Sequence, residues 1–201
     1  MMRLPVGAAF LGVAFAVVAA GPAAASVSVK TKTVTYKIKG GNGDTLIEAM
    51  DRKGPRHGFM TRAIAQTGYT ISWDLDWREK SGSCRVFDAD ATLKITYNYP
   101  EVTGDMSPGL KRSWTAFMRG VRRHEETHGQ IAKQMVKAAE SALTGLTSKN
   151  DRRCRKLQAD VKDTIARVYD QYEADQMEFD EVEHSEGGNV ERLLRALARG
   201  Q

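Results

Sequence analysis

From Trp114 to Ala142 the chain places residues of one helix face at spacings of three and four, and two members of that series are histidines. The series runs Trp114, Phe117, Val121, His124, His128, Ile131, Met135, Ala138 and Ala142. A stripe of this period and length specifies a long α-helix with one side turned to a core. Its histidines belong to His124-Glu125-Glu126-Thr127-His128, an H-E-x-x-H pattern. Residues four apart stack on one helix face, so both imidazoles can reach one metal ion, and the glutamate after the first can reach a water beside it.

A lone histidine on an apolar face is usually a core residue whose hydrogen bonds are met. Two at consecutive stripe positions shift the balance. Burying both rings unpaired costs a few kcal/mol, roughly, and a shared zinc ion removes that cost. Glu125 lies beside the stripe, where a carboxylate is costly to desolvate without a partner. Glu126 reads as a surface charge near Arg122 and Arg123. Both remaining histidines lie off this helix: His57 follows Gly54-Pro55-Arg56 in a loop-like stretch, and His184 lies near the C-terminus.

Catalytic zinc takes three protein ligands and keeps one open position. The extended motif with a third histidine on the same helix is absent, so the third ligand comes from elsewhere. After a break at Thr147-Ser148-Lys149-Asn150, a second helical series carries Cys154, Leu157, Val161, Ile165, Val168 and Tyr172 inward. The two helices form an αα-hairpin. Its later part offers Asp170, Glu173, Asp180, Glu183 and His184. Folding about Ser148 sets Tyr172 opposite His124, which favours Glu173 if both helices are straight. His184 is the better ligand type, but it requires the second helix to end or bend early. The residues leave both open.

Before Pro108 the period is two. Val27, Val29, Val34, Tyr36 and Ile38 alternate with polar residues, as do Tyr69, Ile71, Trp73, Leu75 and Trp77, and again Leu93, Ile95, Tyr97 and Tyr99. A turn near Glu79 to Ser83 joins the second and third of these runs, and Met60 to Gln66 is a further candidate strand. Asp44 is a candidate cap for a short helix with Leu46, Ile47 and Met50 on its apolar face, ended by Gly54-Pro55. A last amphipathic segment carries Leu193, Leu194 and Leu197. The expected fold is α+β: a small antiparallel sheet with a short helix, followed by a long αα-hairpin bearing the motif.

Residues 1–25 read as a signal peptide. Arg3 precedes an apolar run from Val6 to Ala20, too short for a span, and Ala23-Ala24-Ala25 fits a cleavage site. Residues 26–201 are then a single exported domain, secreted or periplasmic, with no later stretch apolar enough to cross a membrane. In an oxidising compartment the only two cysteines, Cys84 and Cys154, pair. The net charge of +5 is scattered among almost as many acids, without a basic patch interleaved with aromatics, which argues against nucleic acid.

The chain also resembles a bacterial domain family of unknown function catalogued as predicted secreted zinc-dependent proteases. The resemblance rests on Tyr36-Lys-Ile38-Lys-Gly40, Gly54-Pro55, Thr70-Ile71-Ser72-Trp73, Cys84, Trp114, His124-Glu125-x-x-His128, and Phe179-Asp180 followed by His184. It implies a zinc ion held by His124, His128 and His184, and it supports a Cys84–Cys154 bridge. The expected function is a zinc metallopeptidase that hydrolyses peptide bonds with a zinc-activated water and Glu125 as general base. Tyr169 and Tyr172 are candidate oxyanion donors. Substrates would be peptides or proteins, including peptidoglycan peptides. The competing expectation is a non-catalytic periplasmic binding or assembly protein, with a structural zinc or none.

Overall fold

A computed structural model describes residues 26–57 and 61–200, so the signal-peptide reading of residues 1–25 lies outside the described residues. The chain is α+β. Strand β1 (Val27–Ile38) is followed by helix α1 (Gly43–Lys53), a small pair β2 (Arg56–His57) and β3 (Thr61–Arg62), and the long strands β4 (Gln66–Lys80) and β5 (Ser83–Val102). Helix α2 (Pro108–Leu143), strand β6 (Thr147–Ser148), helix α3 (Arg155–His184) and helix α4 (Asn189–Arg199) complete it. Among the described residues no helix is long and apolar enough to cross a membrane.

The main sheet has four strands in the order β1-β5-β4, with β6 added to β5. It is mixed, because β1 runs parallel to β5 while β4 and β6 run antiparallel to it. The expected all-antiparallel sheet is corrected here. Period-two alternation records which side chains share a face, but it carries no information about the direction of the neighbour. On β5 the buried set changes parity, from Cys84 and Val86 to Ala89, Ala91, Leu93, Ile95, Tyr97 and Tyr99. A bulge makes this possible: Asp76 faces Asp88 while Trp77 faces Val86, so Phe87 is the extra residue and stands exposed. The strand also continues two residues past Pro100, beyond the end of its pairing with β4 at Gln66.

Three other boundaries differ from the sequence reading. The N-cap of α1 is Asn42, not Asp44: its side chain accepts from Thr45 N while the Thr45 hydroxyl caps in return. Gly43 must open that helix, since a Cβ there would lie 2.0 Å from the Leu197 carbonyl oxygen. Of the Met60–Gln66 stretch, Met60 lies outside the described residues and the rest divides, with Thr61–Arg62 pairing back on Arg56–His57 and a separate strand beginning at Gln66. His57 therefore has strand backbone in β2.

Helix α2 begins at Ser107, whose hydroxyl accepts from Leu110 N, with Pro108 in the first turn. Its 36 residues give it a length of about 54 Å. After His128 the buried face runs through Gly129, Ala132, Met135, Val136, Ala139 and Leu143, instead of Ile131, Ala138 and Ala142. The apolar residues of the last turns are small and common on both sides, so spacing alone does not single out the face that packs. The main core joins Trp114, Phe117 and Val121 of α2 to Leu93, Ile95, Tyr97 and Tyr99 of β5, Leu46 and Met50 of α1, and Leu197 of α4. A second cluster surrounds the disulfide: Cys84 and Val86 of β5, Leu143, Leu157 and Val161.

The expected Cys84–Cys154 bridge is present and ties β5 to the start of α3. The connection from α2 to α3 is not a tight turn. Residues 144–154 pass through β6, paired to Cys84 and Arg85, and a 3-10 turn at Arg152–Cys154. Asp151 then caps α3, accepting from Lys156 N at 3.1 Å and Leu157 N at 2.8 Å. This detour changes which residues of the hairpin meet. His124 faces Asp180 and Glu183 across the interface, where a simple fold about Ser148 would have put Tyr172.

Candidate metal centre

His124 and Glu125 occupy adjacent positions on the buried face of α2, with exposures of only 8% and 5%. Close packing behind them depends on Gly129. A Cβ at that position would lie 2.1 Å from the Tyr97 hydroxyl, so the glycine lets β5 approach the turn that carries His128. Arg122, read from the sequence as a neighbour of the surface charge Glu126, lays its guanidinium 4.5 Å from the Tyr99 ring centroid. Glu126 is on the exposed side, as read from the sequence.

Three ligand-type atoms converge at the α2–α3 interface. His128 Nε2 is 3.2 Å from His124 Nε2 and 3.0 Å from Asp180 Oδ1, and His124 Nε2 is 3.3 Å from the same oxygen. Tetrahedral zinc with bonds of about 2.0–2.1 Å separates its ligand atoms by about 3.3 Å. The donor set, two imidazole nitrogens and one carboxylate oxygen, is one that zinc accepts, so these residues fit the ion.

The far sides of both rings are also held. Gln176 Nε2 donates to the His128 carbonyl oxygen at 3.1 Å, and Gln176 Oε1 is hydrogen-bonded to His128 Nδ1. A carbonyl only accepts, so the Gln176 atom facing it is the amide NH2 and the other is its oxygen. His128 Nδ1 must then carry the proton, and in the neutral ring Nε2 is left with a lone pair toward the centre. His124 Nδ1 faces Glu183 Oε2 at 3.4 Å. Phe179 stacks on His124 with ring centroids 5.0 Å apart, packing its face.

The titratable groups of the cluster shift one another. Burial works to lower the His128 pKa, yet hydrogen bonds to Asp180 and Gln176 outweigh it, and the net shift is upward. Burial raises the Asp180 pKa, but hydrogen bonds from His124 and His128 outweigh it and hold the carboxyl well below its usual range. Burial pushes the Glu125 carboxyl up, opposed by a hydrogen bond from Thr67 and by the two histidines. That bond, from Thr67 Oγ1 to Glu125 Oε2, is 2.6 Å long, and the same hydroxyl lies 3.0 Å from the Glu125 carbonyl oxygen.

The remaining candidates divide. His184 is one turn beyond Asp180 on α3, 55% exposed, with its Nε2 4.0 Å from Asp180 Oδ1 and its ring edge-on to His124. It borders the centre without joining the three converging atoms. Glu173 lines the neighbouring cleft but is not in the cluster, and Asp170 is in neither. Of the tyrosines, Tyr69 lines the cleft. Tyr169 and Tyr172 do not, and the Tyr169 hydroxyl accepts the Trp73 indole N–H at 2.9 Å. Thr67, Gln176 and Tyr69 carry no local signal in the sequence, because each reaches the site from another element.

The centre opens into a cleft of about 900 Å³ between the start of β4, helix α3 and helix α4. Asp51, Glu173, Asp180 and Glu181 contribute carboxylates to its wall, and Val190, Leu193 and Leu194 give one side an apolar surface. Buried His124 and Glu125 with partly buried His128 at the base of such a cleft form a site with access to solvent.

A family of bacterial proteins described as of unknown function (DUF922) matches residues 33–188, which include every residue of the converging cluster. No curated protein and no solved structure matches the chain.

Proposed function

The chain belongs to this bacterial family of unknown function, and we propose that it is an exported zinc-dependent metallopeptidase. The observation that carries the proposal is the mutual approach of His124 Nε2, His128 Nε2 and Asp180 Oδ1 to within 3.0–3.3 Å. Two neutral rings and a carboxylate would otherwise set lone pairs against one another in a partly buried site. Asp180 takes the place that the resemblance implied for His184.

Zinc, when bound, supplies a Lewis acid that polarises a carbonyl and activates water. The chain supplies the rest. His124 and His128 present Nε2, with their opposite nitrogens held by Glu183 and Gln176. Thr67 fixes Glu125 through Oε2. Glu125 takes the proton from the attacking water and returns it to the leaving amine, a role that its upward-shifted pKa suits. The cleft admits a peptide segment, and Tyr69 on its wall is within the surface available to that substrate. The disulfide supports export to an oxidising compartment.

A second reading uses the same atoms with a proton in place of the metal: a His128 imidazolium bridges to Asp180, and the protein is a non-catalytic periplasmic binding module. The raised His128 pKa favours it. Buried Glu125 has no purpose in that reading.

The discriminating experiment measures zinc in the purified protein and cleavage of a broad peptide library that includes peptidoglycan stem peptides. The expected result is about one zinc per chain, with cleavage that Glu125→Gln lowers by about 10²-fold or more while zinc is retained. Zinc binding with no cleavage across the library would move the assignment to a structural metal, and no zinc binding would move it to the proton-bridged module.

A further inference from the structure

We infer that helix α4 belongs to the support of the metal centre, with Asn189 and Glu183 as positioning residues that hold His124 in its ligating tautomer. This rests on the metal reading above. Glu183 Oε2 lies 3.4 Å from His124 Nδ1 and accepts a 2.9 Å hydrogen bond from Asn189 Nδ2. The amide fixes the carboxylate, and the carboxylate makes Nδ1 the N–H member of the ring. Nε2 is then left to bind. His128 is held by Gln176 of α3 alone, whereas the Glu183 of α3 that faces His124 is itself held by Asn189 of α4.

The sequence places Asn189 there by a turn that only glycine permits. Gly187 has φ +71°, and a Cβ on Gly188 would lie 2.5 Å from the Glu183 carbonyl oxygen and 2.7 Å from that of Ser185. With Gly188 N donating to Ser185 O at 2.8 Å, the chain reverses directly over the end of α3. Asn189 is then the first residue of α4 and faces Glu183.

Helix α4 is itself fixed against α2 one turn before His124. A Cβ at Gly120 would lie 2.5 Å from the Leu193 methyl carbons, so Leu193 packs against bare helix backbone. Its other end is held by fully buried Leu197 against Gly43. The inner surface of α4 thus serves two purposes, lining the cleft through Leu193 and Leu194 and carrying the residue that braces a metal ligand. Asn189 is the residue immediately after the family match ends.

The test measures zinc affinity by chelator competition, and the visible spectrum of the cobalt(II)-loaded protein, for wild type, Glu183→Ala, Glu183→Gln and Asn189→Ala. Loss of an outer hydrogen-bond partner of a metal histidine reduces affinity by about 10–100-fold. That range is expected for Glu183→Ala and Asn189→Ala, with a smaller loss for Glu183→Gln, which keeps an acceptor oxygen. The cobalt bands should shift in both alanine variants while far-UV circular dichroism stays the same. Asn189→Asp, nearly isosteric, sets an acceptor against Glu183 and should give the same loss even if the alanine variant folds poorly. Wild-type affinity and unchanged cobalt spectra in these variants would overturn the inference while leaving the metal reading in place. A wild-type protein that binds neither metal would overturn both.

Discussion

The Thr67 hydroxyl donates a 2.6 Å hydrogen bond to Glu125 Oε2, joining the start of strand β4 to the buried carboxylate of helix α2. It is the one direct polar contact made by that carboxylate among the described residues, and it does not restore the Glu125 pKa to its ordinary value. Ionised Glu125 therefore works against folding. With a folded pKa above 4.5, the penalty is absent below pH 4.5 and complete once the pH exceeds the folded value. Glu125→Gln should lose hydrolysis by about 10²-fold or more and yet be more stable than wild type. Thermal melts of the metal-free proteins should show the gain widening from pH 4.5 to pH 8, at about 2–4 °C per kcal/mol for a chain of this size. A variant that is inactive and less stable at every pH would refute this.

Metal retention should separate Asp180 from His184. Asp180→Ala removes one of three converging atoms, so zinc bound after dialysis is expected to fall by at least 10-fold, of the order of an outer-contact loss or greater. His184→Ala, 4.0 Å removed from Asp180 Oδ1, is expected to fall less. The reverse ranking would return the third-ligand role to His184.

The His128–Asp180 contact gives the metal-free protein a pH signature. His128 has a folded pKa above 6.5, so its contribution to stability is full below pH 6.5 and disappears as the pH rises through the folded value. Asp180 has a folded pKa below 3.8, so its contribution is full above pH 3.8 and is lost as the pH falls through the depressed value. Both operate together between pH 3.8 and 6.5. An NMR titration without metal should find His128 protonated at a higher pH than a free imidazole, and added zinc should suppress that titration.

The disulfide closes a loop spanning a sequence separation of 70, which in the chain-entropy treatment corresponds to about 4 kcal/mol. Cys84→Ala together with Cys154→Ala should lower unfolding free energy by roughly 2–5 kcal/mol. The bridge lies at the opposite end of α3 from Asp180, so denaturant midpoints should fall much more than zinc affinity. Equal damage to both would mean that the hairpin register, and not only its stability, depends on the bridge.

Much of this was legible in the residues. The period of α2, the two strands before it, the disulfide pair and the placement of both motif histidines on a buried face follow from spacing and residue type, which act locally. The direction of β1 was not legible, nor the phase of the small residues after His128, because alternation marks a face without naming what covers it. The bulge at Phe87 left a trace, the parity change between Val86 and Ala89, whose meaning depends on the strand beside it.

The sequence by itself determined that two histidines and a glutamate would share a buried helix turn, since helical geometry alone brings residues 124, 125 and 128 together. Tertiary structure decided what meets them. The detour through β6 and the 3-10 turn sets the register of α3 against α2, and that register brings Gln176, Asp180 and Glu183 to the rings in place of Tyr172 and Glu173. A shift of this kind changes every cross-helix partner at once, because contacts between packed helices depend on where each helix begins, and that is fixed by packing elsewhere in the fold.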